Sequence, residues 1–82
     1  MMTVHIKLFA ILRDLAGMRE TKLNLSDGIT VADAVQQLVA QHPQISRYVA
    51  KLAYAVNEQY APISTELHDG DELALIPPVS GG

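Results

Sequence analysis

From Thr3 to Phe9 apolar and polar positions alternate, with Val4, Ile6 and Leu8 on one face and His5, Lys7 and Phe9 on the other. This two-residue period predicts a strand with one side against a core. Phe9 is the odd member of its face, and two readings stand open: the strand has ended and the ring turns inward, or an aromatic stays exposed on the sheet. Ala10 to Ala16 carries Ile11, Leu12 and Leu15 at helical spacing before Gly17, which predicts a short helical turn with a glycine cap. Glu20 to Leu25 alternates again and predicts a second strand, antiparallel to the first. Ser26-Asp27-Gly28 marks a turn, and Thr30 has the chemistry to cap a helix from Val31 to about His42, with Asp33 near its positive end and Pro43 as its stop. Val31, Ala34, Val35, Leu38 and Val39 form the apolar stripe of this main helix.

The second half is more broken. Gln44 to Lys51 reads as a further short helix with Ile45 and Val49 on one face, and Leu52 to Val56 as a strand. Asn57-Glu58-Gln59 predicts a tight turn into a brief strand from Tyr60 to Ile63, and Asp69-Gly70-Asp71 a turn into a final strand from Glu72 to Ile76. In that last strand Leu73 and Leu75 point inward, Ala74 and Ile76 outward. A hairpin, a crossover helix and later strands returning to the middle of one sheet make an α+β fold, a β-grasp, ubiquitin-like roll. It has a mixed sheet, one main helix packed across it and a protruding C-terminal tail. The last strand then runs parallel to the first and releases the chain near Phe9. The expected division is a domain over 1–76 and a flexible Gly-Gly tail over 77–82.

Composition narrows the chemistry. With 82 residues, 49% of them apolar and 18% charged, the chain is expected to make one modest core. It contains no cysteine, so disulfides, thiolate metal sites and a sulfur nucleophile of its own are all ruled out. His5, His42 and His68 lack the spacing of a helical metal pair and are expected on the surface, so no metal site is expected. No nucleophile elbow or glycine-rich phosphate loop occurs, and a chain this small has little room for a deep pocket. A complete active site of its own is therefore not expected. The net charge is −3; Glu66, Asp69, Asp71 and Glu72 concentrate acids, whereas the six Lys and Arg are scattered at 7, 13, 19, 22, 47 and 51. With no basic face visible, nucleic acid is not an expected partner. The acidic group suits a basic protein partner or simply a solvated loop. Neither a signal segment nor a membrane-length apolar run is present, so the expected location is cytoplasmic.

The ending Pro77-Pro78-Val79-Ser80-Gly81-Gly82 stands apart from these absences. Gly makes up roughly 7% of ordinary sequences, so a Gly-Gly end arises by chance in only about one chain in 200. Two prolines stiffen the base of such a tail, and two glycines leave its tip thin. At about 3.3 to 3.6 Å per residue, the tail reaches at most roughly 20 Å, enough to enter another protein's active site. Its special group is the unhindered carboxylate of Gly82, which a partner using ATP can convert to an acyl-adenylate and a sulfur donor can then convert to a thiocarboxylate. By strand parity, Phe9, Ile76 and Tyr60 lie on the outer sheet surface near the exit and form a candidate docking face, rimmed by His5 and Lys7. The competing reading places the three in a small core.

The ending, together with Asp69-Gly70-Asp71-Glu72, Ala55-Val56-Asn57 and Phe9-Ala10-Ile11-Leu12-Arg13, resembles the small subunit of molybdopterin synthase, the MoaD family, over essentially the whole chain. The resemblance implies that Gly82 is adenylated by an E1-like, MoeB-type enzyme and thiocarboxylated from a sulfur donor. The tail is then inserted into the large subunit, MoaE, within a heterotetramer, and donates sulfur to cyclic pyranopterin monophosphate. No cofactor bound by the chain itself is implied; ATP is used by the activating partner. Gly82 carries the reactive group, Gly81 and Ser80 give slim passage, and Val79, Pro78 and Pro77 guide the tail. Phe9, Tyr60 and Ile76 match the family's docking surface, although Tyr60 and Ile76 differ from its usual residue types. A thiamin-type, ThiS-like sulfur carrier and a ubiquitin-like protein modifier share the fold and the Gly-Gly end and stand as alternatives. So does a passive β-grasp interaction module.

Overall fold

The N-terminal alternation builds one side of the sheet. In the computed structural model, which describes residues 1–78, β1 (Met2–Leu8) and β2 (Glu20–Leu25) pair antiparallel from Met2 opposite Leu25 to Lys7 opposite Glu20. Between them α1 (Ile11–Ala16) buries Leu12 and ends at Gly17, whose φ of 74° supplies the left-handed cap. The expected Thr3–Phe9 strand thus begins a residue earlier and stops before Phe9.

α2 (Val31–Gln41) starts where Thr30 was expected to cap it. The Asp33 N–H donates to the Thr30 hydroxyl (3.4 Å) and the Thr30 N–H to the Asp33 carboxylate (3.3 Å), a reciprocal capping box. Two further helix-end donors, the N–H groups of Val31 and Ala32, reach the carbonyls of Thr65 and Ile63 at 2.9 and 3.0 Å. Helix geometry is lost at His42, immediately before Pro43. Residues Pro43–Lys51 then form a 3-10 helical segment that buries Ile45 against the two helices.

β3 (Ala53–Val56), β4 (Gln59–Tyr60) and β5 (Glu72–Ile76) complete the sheet in the order β2-β1-β5-β3-β4. Among the described residues only the β1–β5 pairing is parallel, with Ile6 opposite Leu73 and Leu8 opposite Leu75. β3 pairs antiparallel with both β5 and β4. The expected Tyr60–Ile63 strand is corrected to the two residues Gln59–Tyr60, because Pro62 has no N–H to continue a ladder and the carbonyls beyond it serve α2 instead. This mixed five-stranded sheet with one main helix packed across it is the β-grasp roll that the element order predicted.

The core lies between α2 and the inner sheet face. Val4, Ile6 and Leu8 meet Leu73 and Leu75 there, under the helix stripe of Val31, Val35 and Leu38. Leu67, 1% exposed, is a core residue outside any strand or helix. Its N–H donates to the Ile29 carbonyl (2.8 Å), which fastens the Thr65–Leu67 loop beneath the start of α2.

Because Leu67 closes the core without help from a neighbouring regular element, Leu67→Ala should destabilise the domain by about 2–5 kcal/mol, read from urea unfolding. A second expectation concerns Tyr54, whose hydroxyl donates to the Val49 carbonyl at 3.4 Å and whose pKa is raised from 10.0 by burial. The folded chain keeps this proton where the unfolded chain has released it, so the contribution is complete below about pH 10 and is lost above it. Tyr54→Phe should therefore lose less of its stability than the parent between about pH 9 and about pH 11 in the same urea assay.

Candidate docking face and tail exit

The helices cover one side of the sheet and leave the other open. Strand register then assembles a row across that outer face: Lys7 lies beside Ala74, Ala74 beside Ala55, and Ala55 beside Tyr60. One row closer to the end of β5, Ile76 stands opposite Ala53, and Phe9 follows directly on β1. Phe9, Tyr60 and Ile76 consequently line a single depression of about 380 Å³, together with Lys7, Glu58 and Glu72. Ala55 and Ala74 are its floor, buried but too small to fill it.

Phe9 is 45% exposed and Tyr60 78%, which settles the two open readings of Phe9 and removes both rings from the core. The ring stays outside because the chain reverses at Ala10, which has φ 51° and ψ −125°. A side chain rarely tolerates this backbone, and holding it there costs about 1–3 kcal/mol. Asn57 and Glu58, at φ 51° and 70°, form the tight turn between β3 and β4. Asn suits that conformation, whereas Glu58 occupies a place where glycine is favoured.

Asn57 also makes a junction that spacing did not reveal. Its side chain donates to the Asp71 carboxylate (2.9 Å) and accepts from the Glu72 N–H (3.0 Å), while its own N–H donates to the Glu72 carbonyl (2.8 Å). Asp71 further accepts from the His68 N–H at 2.7 Å, and Asp69 accepts from the Thr3 N–H at 2.8 Å. These acids act as turn formers, which fixes where β5 begins and so where it ends. His68 lies near Glu66 and Asp71, at 3.6 and 3.8 Å. Among the described residues no group of three or more His, Asp or Glu could hold a metal ion, and no helix is long and apolar enough to cross a membrane.

Two expectations about the surroundings need correction. Lys7 does rim the apolar depression, bridged to Glu72 at 3.2 Å, but His5 does not. The strand period sets His5 a full repeat further from the exit, opposite Lys22, where it lines a separate depression. The cations are also less scattered than the numbering suggested, since the hairpin brings Lys7, Arg13, Arg19 and Lys22 to one margin of the face. Ala74 was expected on the outward side of β5, but its partnership with Ala55 as a floor, and the place of Glu58, were not foreseen; small residues at the outward positions of two adjacent strands were the available signal.

Of the tail, Pro77 is half-buried and Pro78 exposed. Val79, Ser80, Gly81 and Gly82, including the expected reactive terminus, lie outside the described residues.

The ThiS family model matches residues 6–82. A relative from Chlamydomonas reinhardtii, named molybdopterin synthase sulfur carrier subunit, is 39% identical over 99% of this chain and 100% of its own length. The crystal structure of Haloferax volcanii small archaeal modifier protein 1 superposes with a TM-score of 0.89 at 33% identity, covering 96% of this chain and 100% of that one. A chain in the complex of subunits 1 and 2 of the molybdopterin-converting factor from Helicobacter pylori 26695 shares the fold. Its TM-score is 0.70 at 22% identity, over 99% of this chain and 100% of that one.

Glu58 lines this depression and Ala10 directly follows Phe9, which lines it; both hold a backbone that strains an L side chain, so relieving them should stabilise the domain. Ala10→Gly and Glu58→Gly are each expected to raise unfolding free energy by about 1 kcal/mol, measured by urea titration.

Proposed function

The chain belongs to the ThiS family, and from that premise we propose that it is the sulfur carrier subunit of a molybdopterin synthase. The observation that carries the reading is the convergence of Phe9, Tyr60 and Ile76 on one open sheet face, at the end of the strand that leads into Pro77. A body docked by that face presents the tail to its partner. The name borne by the Chlamydomonas reinhardtii relative supports the molybdopterin assignment over a thiamin-type carrier.

The chemistry belongs to the Gly82 carboxylate. In the active site of an E1-like, MoeB-type partner its oxygen attacks the α-phosphorus of ATP and expels pyrophosphate, leaving an acyl-adenylate. A sulfide equivalent from the sulfur donor then attacks the acyl carbon, AMP departs, and a thiocarboxylate remains. In the large subunit, MoaE-like, this sulfur attacks an electrophilic carbon of cyclic pyranopterin monophosphate and displaces an oxygen substituent from it; water at the acyl carbon then breaks the acyl C–S bond, leaving the sulfur on the pterin and restoring the carboxylate. Gly81 and Ser80 let the tip through a narrow channel, and Val79, Pro78 and Pro77 guide it, with less entropy to lose at the prolines. The chain acts as a sulfur-donating cosubstrate in a cytoplasmic heterotetramer.

A second reading, a protein modifier, is favoured by the likeness to small archaeal modifier protein 1. It shares the adenylate but ends in an amide between Gly82 and a lysine amine.

Coexpression with the activating enzyme and a sulfur source should give an intact mass in which one oxygen of Gly82 is replaced by sulfur. Deleting Gly82, or extending the chain beyond it, should abolish sulfur transfer in a purified synthase assay while the unfolding curve stays unchanged. Full activity of either variant would refute the proposal, and covalent ladders on denaturing gels would favour the modifier.

A further inference from the structure

Lys7 is the meeting point of three adjoining depressions. It lines the apolar one with Phe9 and Ile76, a second of about 340 Å³ with Phe9, Arg13 and Arg19, and a third of about 270 Å³ with His5 and Lys22. Four of the chain's six Lys and Arg thus border the proposed docking face, in a molecule of net charge −3. The margin also holds acids: Glu20 lines the second and third depressions, Glu72 bridges Lys7 at 3.2 Å, and Asp14 lies 3.8 Å from Arg13. Arg19 and Lys22 join no salt bridge among the described residues. Lys22 stands directly across from His5 on the β1–β2 ladder, so no carboxylate opposes it there.

We propose that Lys7, Arg13, Arg19 and Lys22 form a docking subsite for a carboxylate-bearing segment of the protein partner that covers Phe9, Tyr60 and Ile76. The inference rests on the docking face assigned under the proposed function and adds the chemistry of what lies beside it. Continuity is the first support, because Lys7 and Phe9 each line both the apolar depression and the second, Arg-lined one. Charge is the second. A guanidinium offers a planar pair of donors that fits a carboxylate, and two such groups share one depression. Interleaved Glu20, Asp14 and Glu72 oppose a regularly charged polymer, whereas a peptide can set its acids only where the cations are. The subsite steers encounter and fixes orientation, while the apolar face limits dissociation. Arg13 shares the second depression with Phe9, which in turn lines the apolar depression with Ile76 at the end of β5, so the orientation the subsite fixes bears on that of the tail.

The test measures association of the carrier with the purified molybdopterin synthase large subunit at about 50 mM and about 300 mM NaCl. An Arg13→Glu/Arg19→Glu double variant should associate about tenfold more slowly at low salt, with the difference shrinking at high salt. Lys22→Glu should move in the same direction, and Arg47→Glu, in the 3-10 segment on the helical side, should stay within about twofold of the parent. Phe9→Ala should chiefly speed dissociation at both salts. Melting curves of the charge variants identify any loss of fold. If Phe9→Ala weakens binding while both charge reversals leave it unchanged at low salt, the subsite is refuted and the docking face stands. If the parent carrier does not bind the large subunit, the docking reading fails and the subsite falls with it. Preferential binding of a short oligonucleotide over the large subunit would overturn the peptide assignment.

Discussion

The parallel pairing of β5 with β1 is the constraint on which the rest of the molecule depends. It places Leu73 and Leu75 beside Ile6 and Leu8 in the middle of the sheet, so the last strand becomes the centre of the core. A central strand has neighbours on both edges and cannot slip by one residue without turning Leu73 and Leu75 to solvent. The same pairing sends the chain out of the sheet beside the end of β1, where Phe9 stands. Core burial therefore also determines where the tail begins and which side chains surround it. Asn57 and Asp71 reinforce this from the other end by fixing the point at which β5 starts.

That coupling explains which parts were legible in the sequence. The hairpin, the helix cap at Thr30 and the stop at Pro43 each follow from neighbours a few residues apart, and each lies within a residue or two of its expected place. The shared face of Phe9, Tyr60 and Ile76 was legible because strand parity carries across a correctly ordered sheet. Leu67 was not legible, since no period marks a single apolar residue in a loop; its burial depends on the carbonyl of Ile29, far away in sequence. Tyr60–Ile63 looked like a strand because its composition suits one, yet Pro62 and the unsatisfied end of α2 compete for its backbone groups. The grouping of four cations was invisible for a related reason, as the β1–β2 register converts distant numbers into neighbours.

Of the two departures from easy backbone geometry with least local justification, Glu58 lines the candidate docking depression and Ala10 directly follows Phe9, which lines it. In a small domain, whose total stability is about 5–15 kcal/mol at most, strain of about 1–3 kcal/mol at one residue is a substantial fraction. Ala10 turns the chain sharply enough to leave Phe9 outside, and Glu58 puts a carboxylate on the rim. The core supplies enough burial to hold both, with Val4, Leu12, Val31, Leu38, Ile45, Leu73 and Leu75 fully enclosed. Stability made in one layer is thus consumed in shaping the opposite surface.

That surface is divided by strand. Ala74 and Ile76 of β5, Ala55 of β3 and Tyr60 of β4 contribute small or aromatic and aliphatic surface, whereas β1 and β2 contribute His5, Lys7, Glu20 and Lys22, and Glu72 at the start of β5 holds Lys7 at the border. An apolar patch alone resists dissociation but is indifferent to rotation about its own normal. A charged margin on one side removes that indifference, because only one orientation brings opposite charges together. In the proposed carrier, with its reactive group at the end of a tail whose reach is at most roughly 20 Å, the body must dock with its exit facing the channel. Under that proposal, the asymmetry between the two halves of the sheet is the structural feature that converts adhesion into aim.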